Sequence, residues 1–116
     1  MPNTGLGTPY ALTDANIDRI AEQKIGAYAL GSVSGDTFTV NYVGRSDDDL
    51  NGRLKKWVGK KYTHFKCKHY ATKKAAYEKE CTMYHDFGGS AGLDNDVHPA
   101  KPVGVACSCP VSGCNN

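Results

Sequence analysis

Glu78 and Glu80 stand two residues apart in "KKAAYEKECTMYHD", residues 73–86. On a helix, neighbours are three and four residues apart, so the two acids face different ways. Glu80 shares a stripe with Ala76, Tyr77 and Tyr84, the side expected to meet a sheet. Glu78 shares its stripe with Lys74, Thr82 and His85 and reads as a surface residue. An acid on the buried side is costly to desolvate unless a cation, a metal or hydrogen-bond donors satisfy it. Glu80 is thus a salt-bridge partner or a functional carboxylate. Arg53 is a second candidate, since a guanidinium can grip a phosphate with two parallel hydrogen bonds and a lysine cannot. Its plain alternative is a surface pair with Asp49.

Tyr28 and Tyr42 lie in "GAYALGSVSGDTFTVNYVG", residues 26–44, where each tyrosine has a glycine two positions away. A phenol of pKa about 10 is a poor base at neutral pH, so these residues either orient polar groups or simply pack. The end of the chain holds Cys107, Cys109 and Cys114 in eight residues. With His98 or His85 they offer four donors for Zn2+, although not in the paired Cys-x-x-Cys spacing. A flexible end with exposed thiols is the competing reading.

The elements that must position these residues follow from periodicity and punctuation. Residues 1–12, with Pro2, Gly5, Gly7 and Pro9, read as an irregular, mobile lead-in. Thr13 or Asp14 caps a short helix bearing Ile17, Ile20 and Ala21 on one face. Residues 27–30 and 38–43 form an antiparallel hairpin, its loop expected over 31–36 and too long for a two-residue turn. Leu50, Leu54, Trp57 and Val58 recur at helical spacing, and Gly59 ends that helix. Residues 62–70 favour a third strand, and Thr72 caps a helix that Gly88 and Gly89 stop. The expected fold is α+β, a three-stranded, mostly antiparallel sheet flanked by helices. Three segments result: a lead-in with a short helix at 1–24, the main domain at 25–102, and a Cys-rich tail at 103–116.

Net charge is +2 over 116 residues, but it is unevenly spread. Residues 1–50 hold 3 Lys/Arg against 7 Asp/Glu, a balance of −4. Residues 51–81 hold 10 against 2, or +8, and residues 82–116 hold 1 against 3, or −2. The basic middle is interleaved with Trp57, Tyr62, Phe65, Tyr70 and Tyr77, a composition suited to a nucleic-acid backbone. Arg45, Lys55, Lys56, Lys60 and Lys61 are the candidate DNA contacts, the alternative being a solvated lysine face. No run is long and apolar enough for a membrane span, and the N-terminus lacks the pattern of a secretory signal. Five cysteines without such a signal suggest reduced thiols and a cytoplasmic protein.

Taken in order, these residues resemble the GIY-YIG nuclease superfamily. Residues 26–28 match its first motif and residues 42–44 its second. "VGRSDDDLNGRL" resembles the stretch carrying the family arginine, here Arg53, and "AAYEKECTMYH" resembles the acidic helix, selecting Glu80. "GLDNDVHPAKP" is similar to the region of the family asparagine, here Asn95. The resemblance spans roughly residues 25–102. It implies metal-dependent hydrolysis of DNA phosphodiester bonds, in a setting such as repair or recombination. Tyr28, Tyr42, Arg53, Glu80 and Asn95 would form the catalytic set, with a single Mg2+ or Mn2+ held by Glu80. It departs from the family at Trp57, where many members place His or Tyr. Indole donates a hydrogen bond but accepts no proton. Tyr28 then acts alone, or His64 or His69 substitutes, or the domain binds DNA with little or no turnover. The family's separate targeting domain has no room here, so a protein partner or oligomer is expected to supply specificity.

Overall fold

A computed structural model describes residues 4–20 and 23–114. Its frame is the hairpin of β2, Gly26–Ser34, and β3, Thr37–Ser46. The strands are longer than the residue pattern suggests and are joined by two residues, which corrects the expected long loop. Gly35 takes the first central position of the turn at φ 58°, left-handed backbone that glycine adopts without strain. The extra residues are absorbed by a bulge: Leu30 faces Tyr42 but Gly31 faces Val40, leaving Asn41 unpaired in the ladder.

The register explains the two tripeptides. Gly26 opposes Ser46 and Tyr28 opposes Gly44, so the aromatic residue of the first motif sits across from the glycine of the second. The Tyr28 ring lies over Gly44, and a Cβ there would run into the ring and its hydroxyl oxygen. Directly opposed residues share a face of the sheet. Tyr28, Leu30 and Tyr42 therefore point to one side, and Ala27, Ala29, Val43 and Arg45 to the other.

β4, His64–His69, pairs with β2 on its other edge, two residues shorter at the start and one shorter at the end than expected. A fourth strand corrects the three-stranded expectation. β1, Tyr10–Ala11, pairs antiparallel with β4 and gives the order β1-β4-β2-β3. A two-residue strand is too short to leave an alternating pattern. The lead-in is not loose where it is described: Thr4, Leu6 and Leu12 are buried.

Each face of the sheet has its own core. On one, Tyr28, Leu30 and Phe65 pack with Ile17 of α1, Asp14–Ile17, and with Leu50 and Leu54 of α2, Leu50–Lys55. On the other, Ala27, Ala29 and Val43 meet Met83 and Tyr84 of α3, Lys73–Asp86. Thr13 and Thr72 cap α1 and α3, their hydroxyls accepting from the Asn16 and Ala75 amides. α2 ends at Lys55, and the chain turns on through Gly59 at φ 81°. After α3, Gly88 at φ 95° leads into a single short turn of helix, α4, Gly89–Gly92.

β3 is the edge strand, and residues 94–95 cover it. The Asp94 amide donates to the Asn41 carbonyl at the bulge. The Asn95 side chain brackets Val43, its Oδ1 accepting from the backbone N–H at 3.0 Å and its Nδ2 donating to the carbonyl at 2.8 Å. That amide continues the ladder on the open side of β3.

The Tyr28–Gly44 contact yields a direct test by chemical denaturation. Gly44→Ala should lower stability by about 1–3 kcal/mol through overpacking, and the loss should largely vanish in a Tyr28→Leu background.

Candidate active site and metal cluster

Where β3 ends, the chain turns through Asp47 and Asp48 toward α2, and an open cleft of about 380 Å³ forms there. Arg45, Asp47, Asp48, Arg53, Glu80 and Ala100 line it. Arg53 enters from α2 and Glu80 from α3, so this cleft joins residues from the two faces of the sheet around the end of its edge strand. Arg53 is exposed and Glu80 is buried.

Arg45 holds Glu80. Its Nη1 donates to Glu80 Oε1 at 2.7 Å while its Nε donates to Asp47 Oδ1 at 2.8 Å. The guanidinium also lies over the Tyr77 ring, 5.2 Å from its centroid. Burial opposes its charge, but the hydrogen bonds to Asp47 and Glu80 outweigh that and raise its pKa. Burial dominates at Glu80 and pushes its carboxyl up to about 7, against the opposing pull of Arg45. The sequence marked Arg45 as a DNA contact. Its guanidinium is instead turned inward onto Glu80, 35 residues away.

The two tyrosines lie on the α2 side and do not line the cleft. Tyr28 is 2% exposed, and its hydroxyl accepts a hydrogen bond from Trp57 Nε1 at 3.1 Å. Burial raises its pKa well above the usual phenol value despite that bond. Trp57 thus holds Tyr28 in place, and Tyr28 stays protonated at neutral pH. Tyr42 is half-buried against Trp57, ring centroids 4.8 Å apart, and burial raises its pKa also. The charges of Arg53 and Glu80 act on both phenols. His64 and His69 are on β4 and line no part of the cleft. Asn95 is also outside it, its amide spent on Val43.

The candidate DNA lysines divide. Lys55 pairs with Asp18, and Lys61 with Asp94 at 3.0 Å, where Tyr62 also donates to Asp94. Lys56 lines a second groove of about 250 Å³ with Arg53, Ser46, Asp48, Asp49 and Gly52. Lys60 is exposed beyond it. Arg53, Lys56 and Lys60 are thus exposed cations in and after α2, with Asp48 and Asp49 beside the first two.

A separate donor set lies at the C-terminal end of α3. One donor atom from each of His85, His98, Cys109 and Cys114 falls within 4.8 Å of all the others, so the cluster could hold a metal ion. Cys107, expected among the ligands, is outside it and donates to the Val105 carbonyl at 3.7 Å. His85 takes its place, because the last turn of α3 delivers it beside His98. The five cysteines form no disulfide. Among the described residues no helix is long and apolar enough to cross a membrane.

Glu80 sets the sign of a pH effect on stability. Its folded pKa of about 7 exceeds the ordinary carboxyl value of 4.5, so the native state binds the extra proton between them. The stability it contributes is complete below about 4.5 and is lost as pH rises through 7, on the order of 3 kcal/mol. Urea denaturation across pH 4.5–8 should show this decline, and Glu80→Gln should flatten it.

Comparison with known protein families, curated proteins and solved structures finds no match to this chain.

Proposed function

We propose that the protein is a metal-dependent endonuclease of GIY-YIG type, hydrolysing DNA phosphodiester bonds at the cleft beyond β3. The observation that carries this reading is the meeting of a desolvated carboxylate, Glu80, with an exposed guanidinium, Arg53, in one open cleft. The ordered motif resemblance supports the same residues. Arg53, exposed in the cleft, can offer its fork to a phosphate, and the exposed Lys56 and Lys60 can add backbone contacts.

The donors fit a hard cation. Glu80 and the neighbouring Asp47 offer carboxylate oxygens, and Mg2+ or Mn2+ needs only one or two of these because it keeps several waters. Such a cation supplies charge stabilisation to the phosphate and the leaving oxygen. Arg45 competes for Glu80, so the carboxylate must ionise and release part of its grip before it can serve as a ligand. Tyr28, protonated and buried, is in this reading a positioning residue that orients Trp57 and the end of β3. Tyr42 is the phenol with access to solvent. The tail cluster is a separate metal position, and its thiolate and imidazole donors select zinc rather than magnesium.

A second reading is favoured by the Trp57–Tyr28 hydrogen bond, which leaves no ready proton acceptor between them. In it the domain binds DNA and turns over little.

Labelled duplex, nicked and branched DNA, incubated with Mg2+ or Mn2+, separates the readings. Cleavage that Glu80→Ala abolishes and Arg53→Ala reduces about 10²–10³-fold supports the nuclease. Salt-sensitive binding without cleavage supports the second reading, and neither binding nor cleavage rejects both. Mn2+ affinity should fall about tenfold per pH unit below 7, because one proton must leave Glu80 for each ion bound.

A further inference from the structure

We infer that His85, His98, Cys109 and Cys114 form a closed structural zinc centre that clamps residues 98–114 onto the end of α3. The inference stands on side-chain geometry and does not depend on the nuclease reading.

Each donor is already presented. His98 Nδ1 lies 3.0 Å from the Pro99 carbonyl, so the tautomer with Nδ1–H donating to that oxygen leaves Nε2 as the free base. That Nε2 is 3.4 Å from Cys114 Sγ, the separation that two ligands of one tetrahedral zinc adopt. His85 Nε2 is buried and has no hydrogen-bond partner. An orphaned nitrogen of this kind costs about 1–3 kcal/mol, and a metal bond is the partner that the surrounding donors offer it. Tyr84 presents its ring edge-on to both imidazoles, with centroids 5.4 Å from His85 and 5.3 Å from His98, which fixes their planes. Cys109 is buried against Tyr77 and Cys81.

The set is also the right size. A regular tetrahedron with edges of 4.8 Å has its centre about 2.9 Å from each corner, so bonds of 2.0–2.3 Å need shifts below about 1 Å. Two thiolates and two imidazoles suit zinc, and four protein donors leave no open position for substrate. The centre is therefore structural. The other nearby thiols are excluded on separate grounds. Cys107 turns to the Val105 carbonyl, and Cys81, buried beside Tyr77, is not among the four converging donors.

The clamp has a consequence for the cleft. Ala100, two residues beyond His98, lines the cleft together with Glu80. Zinc at one end of α3 would thus fix a wall of the cleft that Glu80 occupies on the same helix.

The test is metal content of protein purified without added metal, followed by cobalt substitution. One zinc per chain is expected. Cys107→Ser should keep it, Cys114→Ser and His85→Ala should lose it, and cobalt should give the visible bands of a tetrahedral site. His85→Cys guards against misfolding: it should still bind one metal, with the thiolate-to-cobalt charge-transfer band about half as strong again. Less than about a tenth of a zinc per wild-type chain after incubation with zinc would overturn the inference. So would loss of zinc in Cys107→Ser. Zinc present and tetrahedral, with DNA cleavage absent, would uphold the clamp and count against the nuclease alone.

Discussion

The Tyr28 ring packs over Gly44, and the rest of the molecule is arranged around that contact. It admits one register between β2 and β3, because a slip of one residue would send every side chain to the opposite face. With the register fixed, Leu30 and Tyr42 turn toward α1 and α2, while Ala27, Val43 and Arg45 turn toward α3. The glycine of the second tripeptide is therefore a seat for the tyrosine of the first. Trp57, donating to the Tyr28 hydroxyl, then ties the turn after α2 to the same point.

From that register comes an electrostatic arrangement with a cost. Arg45 emerges from β3 on the α3 side and meets Glu80, and both side chains are only 10% exposed. Removing two charges from water costs several kcal/mol per ion, and their attraction need not return it. The raised Glu80 pKa expresses that deficit. A carboxylate kept poorly solvated beside an open cleft is a poor stabilising device, which fits the proposed role of cation ligand. The three charges on Arg45, Asp47 and Glu80 hold it in place while Arg53 stays exposed. Asn95 secures the arrangement from outside by bracketing Val43, so that the end of the edge strand does not fray.

The sequence revealed most where periodicity and chemistry coincide in a short window. Glu80 was legible because its stripe on α3 contains Ala76, Tyr77 and Tyr84, and the helix buries that stripe. The hairpin and the Thr72 cap were legible for similarly local reasons. The two-residue turn was hidden, because Gly31, Ser32 and Ser34 look like loop residues and the bulge at Asn41 disturbs the alternation. β1 was hidden by its length. Arg45 read as a surface cation, since nothing near it in the chain announces Glu80. The metal donors were only partly legible, because His85 and Cys114 come together solely through the return of the tail over α3. Asn95 was picked out by motif order, but its bond to the backbone of β3 is a matter of tertiary placement.

The central claim is that Glu80 is a desolvated acid, held by Arg45 and available to a divalent cation. The most direct measurement is the pKa of its side-chain carboxyl, followed by carbon NMR with and without Mg2+. The account predicts a midpoint near 7 without the cation and a marked fall when it is added. A midpoint in the ordinary carboxylate range, unmoved by Mg2+, would contradict it.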